Sequence, residues 1–268
     1  MDEITLKNLQ QVEFEMLCDI DKYCRKYRIK YSLYAGTMLG AVRHEGFIPW
    51  DDDVDICMTR KEYTRFTHII KKYPMEGYYF QDFETDNNCM MNHGKVRKNG
   101  TILLSEGENK ENGHHGIWID IFPLDKISNN KVKVFKTTVF GKIIVLLTRA
   151  NQLLVSNDIK KVVVNRLIRL IPGFCRHKIL LFCARRIRIY DKRIVDDFTW
   201  TSMSALENFN LRFPREMVCK YTLIKFNGKS FICFKNYKEM LRILYGDYML
   251  LPPKSERVCK HNPIEIKF

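Results

Sequence analysis

The sequence predicts an α/β fold, a mixed sheet flanked by helices, and three observations lead to it. Several segments carry apolar residues at intervals of three and four. Short apolar runs with period-two alternation lie between them, and glycine or proline marks most of the junctions. At 268 residues the chain is long enough for one catalytic core with a substantial insertion or a small second domain. Hydrophobic residues make up 46% of it and no stretch is of low complexity, which excludes a disordered chain.

The first helix is expected over Ile4 to Tyr27, where Leu9, Val12, Met16, Ile20, Tyr23 and Tyr27 share one face. Lys30 to Ala35 reads as a strand that stops at Gly36, and Thr37 is placed to cap a short helix reaching His44. A second strand is expected from Asp52 to Met58 and a helix from Arg60 to Lys72, ended by Pro74 and Gly77. Further strands are expected over Tyr78 to Phe83, Asn92 to Leu104 and Gly116 to Phe122. From Lys131 to about Tyr190 the pattern is helical and basic. The Asn227-Gly228 pair inside YTLIKFNGKSFICF signals a type I′ hairpin, and a helix over Tyr237 to Tyr245 should end at Gly246. A charged tail follows Pro252 and Pro253. The resulting division is a catalytic core over 1–130, a basic helical insertion over 131–200, and a C-terminal hairpin and helix over 201–268 that complete the domain.

The N-terminal MDEITLKNLQQ has neither the basic start nor the apolar core of a secretory signal. The stretch Ile143 to Leu147 falls far short of the ~18 to 20 apolar residues of a membrane span. A cytoplasmic protein is therefore expected. The nine cysteines contain no CxxC pair and no zinc-finger spacing, and Cys57 and Cys233 sit in apolar runs that suit reduced, buried thiols. Between Lys131 and Arg193 there are 16 Lys and Arg against Asp158 and Asp191, a surplus equal to the whole formal charge of +14.

Chemistry is concentrated in YAGTMLGAVRHEGFIPWDDDVDICMTR, Tyr34 to Arg60. Strand alternation turns Val54 and Ile56 to the core and sends Asp53 and Asp55 out together, with Cα atoms ~6.6 Å apart at ~3.3 Å per residue. Two carboxylates that close beside a core repel unless a cation such as Mg²⁺ neutralises them. Asp51 and Asp52 are expected as supporting or capping groups. Gly36-Thr37 stands where a strand turns into a helix, so free N–H groups there can receive a phosphate. In GIWIDIFPLD, Asp120 lies between Trp118 and Phe122 on one strand face, and a buried carboxylate in that setting needs strong hydrogen bonds or a metal. Asp125 is expected as a turn residue. Arg43, Lys95 and Arg97 are the candidate cations for phosphate oxygens. His44, His114 and His115 have no second ligand at metal spacing.

In combination, GTMLGAVRHEGFIPWDDDVDI, IWIDIFPLD and YGDYMLLPP resemble the signature blocks of the LicD family, which has fukutin-related members. The resemblance runs from about residue 30 to 260 and adds nothing over 131–200. Its Gly-Thr and DxD elements alone occur across the wider nucleotidyltransferase superfamily. The resemblance implies a nucleotidyltransferase-like mixed sheet and the transfer of a phosphoalkyl group, typically phosphocholine from CDP-choline. The implied acceptor is a hydroxyl of a cell-surface glycan such as lipopolysaccharide, teichoic acid or capsule, or its lipid-linked precursor. It also implies that Asp53 and Asp55 hold Mg²⁺, with Mn²⁺ as an alternative ion. Asp120 would assist the metal or accept the proton of the attacking hydroxyl. Trp50, Trp118 and Tyr248 are candidate rings for a quaternary ammonium.

Basic and apolar residues alternate in segments such as KILLFCARRIRIY, a pattern suited to an anionic membrane surface and to a peripheral position at the inner face of the cell membrane. No nucleic-acid motif accompanies the charge, so a nucleic-acid partner is not expected. Two rival readings share these residues. One is a nucleotidyltransferase acting on a small molecule, protein or RNA; the other is a non-catalytic membrane-surface or glycan-binding protein.

Overall fold

The computed structural model describes residues 1–87, 89–91, 93–105, 113–150, 159–195, 198–202, 211–259, 261 and 263–268. Helix α1 (Glu3–Lys26) starts at Asp2, whose side chain accepts a hydrogen bond from the Thr5 amide at 2.8 Å. Arg25 and Lys26 occupy its last turn, where unpaired carbonyls favour cations. Leu9, Met16, Leu17 and Ile20 on its inner face are fully buried, and each such side chain contributes about 1.5–3 kcal/mol. Strand β1 (Ser32–Leu33) follows, then α2 (Ala35–Arg43), β2 (Asp55–Thr59) and α3 (Arg60–Lys72). The start of α3 is fixed by Thr59, whose hydroxyl accepts from the Glu62 amide at 3.3 Å. Helix α2 begins earlier than expected. Its N-cap is Tyr34, whose side chain makes no capping bond, whereas Thr37 lies inside the helix and its Oγ1 accepts from the Asp55 amide at 2.7 Å.

Strands β3 (Tyr78–Gln81), β4 (Gly94–Lys98), β5 (Ile102–Ser105) and β6 (Trp118–Ser128) come next. The one strand expected over Asn92 to Leu104 is two, because the chain turns at Asn99 and Gly100, where Gly100 takes φ 77°; Asn92 itself lies outside the described residues. Asp125 is not a turn residue. It lies in β6, fully buried, and accepts two bonds from the Arg60 guanidinium at 2.6 and 2.8 Å. That planar, bidentate geometry is what makes a buried carboxylate tolerable.

The basic segment forms α4 (Lys131–Arg149), α5 (Ile159–Arg169) and α6 (Gly173–Arg193). Residues 151–158 and 196–197 of the expected insertion, and 203–210 after it, lie outside the described residues. Strands β7 (Phe198–Thr201) and β8 (Phe213–Pro214) lead to the hairpin β9 (Tyr221–Phe226) and β10 (Lys229–Phe234), then α7 (Tyr237–Tyr245). Asn227 and Gly228 turn the hairpin with φ of 46° and 76°, the left-handed pair that a type I′ turn requires. The expected charged tail ends in a strand, β11 (Pro263–Lys267), antiparallel to β5.

The main sheet runs β1-β2-β6-β4-β3, with β7 continuing from β6 and β8 from β7. The β2–β6 pair is parallel; the others are antiparallel. Long β6 is central, since residues 118–124 lie between β2 and β4 while residues 125–128 pair with β7. The large core contains the sheet, α1 and the hairpin; a smaller one joins α4 and α6 through Ile144, Leu147, Leu180 and Ile187. Among the described residues no helix is long and apolar enough to cross a membrane.

Candidate active site

Parallel pairing of β2 with β6 sets Asp55 directly beside Asp120, and antiparallel pairing of β4 with β6 sets Lys95 on the other side of Asp120. Three adjacent strands therefore present carboxylate, carboxylate and ammonium in one row. The Lys95 ammonium lies 3.0 Å from Asp120 Oδ1 and 3.2 Å from Oδ2, and the indole of Trp118 donates to Oδ2 at 3.2 Å. His93 Nε2 lies 3.3 Å from Oδ1, its ring stacked on Phe122 at 4.9 Å between centroids. Burial acts to raise the Asp120 carboxyl, but Lys95 and His93 reverse the balance and hold it well below the usual carboxylate range. Asp120 is ionised as a result.

Asp55 is driven the other way. Burial, then the charges of Asp53, Asp120 and Asp51, push its carboxyl well above the ordinary value, with Lys95 acting against them. Its backbone is pinned on three sides of the turn: the Asp55 amide donates to Thr37 Oγ1, its carbonyl accepts from the Tyr34 amide at 3.0 Å, and the neighbouring Val54 carbonyl accepts from the Asp120 amide at 3.0 Å. Asp53 precedes β2 and stands in the segment leading into it. The carboxylate oxygens of Asp51, Asp52 and Asp53 lie within 4.8 Å of one another. Asp51 and Asp52, expected as supporting or capping groups, thus lie in one cluster with Asp53.

The space at Gly36 is occupied by this cluster, since a Cβ there would stand 2.6 Å from Asp51 Oδ2. A glycine is required at this position because the carboxylate of Asp51 reaches the first turn of α2. Just before it, Ala35 takes φ 42°, a left-handed conformation costing an alanine ~1–2 kcal/mol and held here by the bonds on either side.

Three participants were not foreseen. Glu13 of α1 is buried, its Oε2 has no hydrogen-bond partner, and burial followed by Asp53, Asp52, Asp51 and Asp55 pushes its carboxyl well above the ordinary value. The signal was present: Glu13 falls on the apolar stripe, four residues from both Leu9 and Leu17. His93 immediately precedes β4, two residues before Lys95, inside the stretch expected as a strand. His261 carried no local signal. It reaches Asp52 from the C-terminal segment, its amide 3.1 Å from Oδ2 and its Nδ1 3.2 Å from Oδ1, and packs edge-on against Trp118.

The remaining candidates are held by the protein itself. Arg97 donates to Gln81 at 2.7 Å and to the Gly116 carbonyl at 3.1 Å. Arg43 donates to the carbonyls of Tyr248 and Leu250 at 3.0 and 3.1 Å, which ties α2 to the segment after α7. That segment, with Arg242, Gly246, Asp247, Tyr248 and Met249, lines a cavity of ≈ 410 Å³. Burial, then Asp55, Asp51 and Asp53, push the neighbouring Tyr245 phenol above its ordinary value, which puts the end of α7 within electrostatic reach of the cluster. Trp118 has Lys95 over its ring at 4.0 Å and Trp50 has Arg257 at 5.5 Å, so two of the three candidate ammonium-binding rings already face cations of the chain, and the third, Tyr248, is buried beside the cavity. His114 stacks on Tyr79 and bonds Asn99.

Residues 28–142 match the family described as LicD/FKTN/FKRP, nucleotidyltransferase domain. The chain is 27% identical over 273 aligned positions to a lipopolysaccharide cholinephosphotransferase, LicD, of Haemophilus influenzae, with 97% of each chain covered. Two uncharacterised rickettsial proteins share shorter stretches. That of Rickettsia typhi is 38% identical over 65 residues, 24% of this chain and 21% of the relative. That of Rickettsia prowazekii is 37% identical over 76 residues, 28% of this chain and 29% of the relative. The matched region contains every carboxylate of the row and cluster except Glu13, and over residues 28–142 the chain is similar to the LicD/FKTN/FKRP nucleotidyltransferase domain.

Proposed function

We propose that this protein transfers phosphocholine from CDP-choline to a hydroxyl of a lipopolysaccharide-type glycan or its lipid-linked precursor, in a nucleotidyltransferase-like core that uses a divalent cation. The observation that carries this reading is the match to a lipopolysaccharide cholinephosphotransferase along 97% of both chains. The donor set supports it. Asp53, Asp55 and Asp120 are hard oxygen ligands suited to Mg²⁺ or Mn²⁺, and Asp120 Oδ1 has only the nearby charges of Lys95 and His93, with no hydrogen bond in good geometry.

When bound, such a cation neutralises charge on the diphosphate and on the departing CMP. The chain's own residues do the rest. The acceptor oxygen forms a bond to the choline-bearing phosphorus, the bond from that phosphorus to the bridging oxygen breaks, and CMP leaves with the electron pair. Lys95 and His93 keep Asp120 ionised, which suits it to hold a cation and makes it a weak proton acceptor. The hydroxyl proton leaves to water or to the neutral form of the His93 imidazole, 3.3 Å from Asp120 Oδ1. Thr37 and the β2–β6 pairing fix the Asp55 carboxylate in place.

The test is CMP release from CDP-choline with lipopolysaccharide as acceptor, with and without Mg²⁺, for the intact chain and for Asp53→Asn and Asp55→Asn. Metal-dependent release, lowered by at least about a hundredfold in both variants, is the expected outcome. Pyrophosphate release from a nucleoside triphosphate, with no CMP from any CDP-linked donor, would replace this reading with nucleotidyl transfer.

A further inference from the structure

The three basic helices are amphipathic in an unusual sense, because both faces of the lobe carry apolar residues. The inner faces of α4 and α6 close the smaller core against Phe83 and Ile127. The outer faces do not meet protein among the described residues. On α4, Val132, Phe135, Val139 and Leu146 recur at intervals of three, four and seven and are exposed, Phe135 by 69%. On α5, Val163 and Leu167 are exposed, followed by Leu170 at 79%. On α6, Phe174, Ile179, Phe182 and Ile189 are exposed, at intervals of five, three and seven. The outer surfaces of α4 and α6 adjoin, for Phe140 of α4 lies 6.1 Å from Phe182 of α6 between ring centroids.

Cations flank these stripes. Lys131, Lys133, Lys136 and Lys142 are exposed on α4, and Arg166 and Arg169 on α5. On α6 the exposed rings have cations over them, Lys178 over Phe174 at 5.8 Å and Arg186 over Phe182 at 5.0 Å. Helices with this composition lie in an interface, apolar side chains at the acyl boundary and ammonium or guanidinium groups on lipid phosphates.

We propose that the outer face of α4, α5 and α6 docks on an anionic bilayer surface, with Phe135, Leu167 and Phe174 entering the interface and the flanking Lys and Arg meeting the headgroups. Charge selects this occupant. A second copy of the chain would bring the same surplus of cations against the first, and segment 131–193 has only Asp158 and Asp191 to offer in exchange. A nucleic acid would satisfy the cations and leave the large aliphatic and aromatic side chains in water. A bilayer with anionic lipid satisfies both. This surface is separate from the carboxylate row, and its docking does not rest on the transferase reading.

The experiment is flotation of the full chain with vesicles of phosphatidylcholine alone or with phosphatidylglycerol, at low and high salt. Binding to the anionic vesicles should be at least about tenfold tighter and should weaken with salt, each basic side chain near the surface being worth about fivefold. Phe135→Ser, Leu167→Ser and Phe174→Ser together should lower the binding at least about tenfold at an unchanged urea midpoint, and Asp53→Asn should bind as the intact chain does. If the triple variant is unstable, hydrogen exchange of the intact chain decides: slowed amides in α4, α5 and α6 on anionic vesicles support the proposal. Equal binding to both vesicles, no binding, unaltered binding by a stable triple variant, exchange unchanged in the three helices, or tighter retention on homopolymeric RNA than on vesicles overturns it.

Discussion

Glu13 shows how much one side chain can disclose about its surroundings. It is a carboxyl in a helix stripe made for leucines, facing the charges of four aspartates without a partner for Oε2. Its pKa in the folded state is raised above the unfolded value, so the folded chain holds this proton more tightly and stability falls as pH rises through that window. Glu13→Gln should therefore stabilise the protein at pH 8 by on the order of 1–3 kcal/mol and have little effect near pH 4, read by urea denaturation. A loss of activity in this variant at preserved stability would make Glu13 a working member of the cluster. Asp55 and Asp120 lie on strands, β2 and β6, where strand alternation and an aromatic neighbourhood marked them, whereas Asp53 stands before β2 and groups with Asp51 and Asp52. The pairing that brings Asp55 beside Asp120 is not local: it spans 65 residues and depends on β2 and β6 running parallel.

Elements were legible where their ends were chemically marked. Helix α3 begins at Thr59 and α7 ends at Gly246, which takes φ 66°, and the β9–β10 turn falls on Asn227 and Gly228. Where a distant partner decides, the sequence is silent, as with β11, which exists by pairing with β5 some 160 residues away. Helix α6 is attached by another such contact. Asp191 accepts from the Lys126 amide of β6 at 2.7 Å, and burial, with Asp125 nearby, pushes its carboxyl up to about 6. A raised carboxyl favours the fold while it is protonated, so this attachment weakens as pH climbs from about 4 through about 6. Asp191→Asn keeps an acceptor for the Lys126 amide. It should flatten the stability profile across that interval and raise stability at pH 7 by about 1–2 kcal/mol, measured by thermal unfolding at several pH values.

Across the whole molecule, charge is partitioned. The sequence outside 131–193 is balanced in Lys and Arg against Asp and Glu, while the carboxylates of the cluster are drawn inward and the surplus cations outward on α4 to α6. The fold holds its acidic cluster against burial and mutual repulsion, and a bound divalent ion would relieve both. Protons compete for the same oxygens, so Mg²⁺ or Mn²⁺ should raise the melting temperature more at pH 8 than at pH 5.5, with proton release in calorimetry. At a hundredfold excess over the dissociation constant the gain should be about 2.7 kcal/mol. An equal shift at both pH values would mean that the ion binds elsewhere. The carboxylate of Asp51 against the first turn of α2 also has a kinetic corollary. That helix terminus, the natural landing place for a phosphate, already has an anion on it. On the proposed reading, a nucleoside diphosphate donor arriving alone would meet repulsion and one arriving after the metal attraction, so initial-rate patterns should be those of a compulsory-order reaction with the cation adding first.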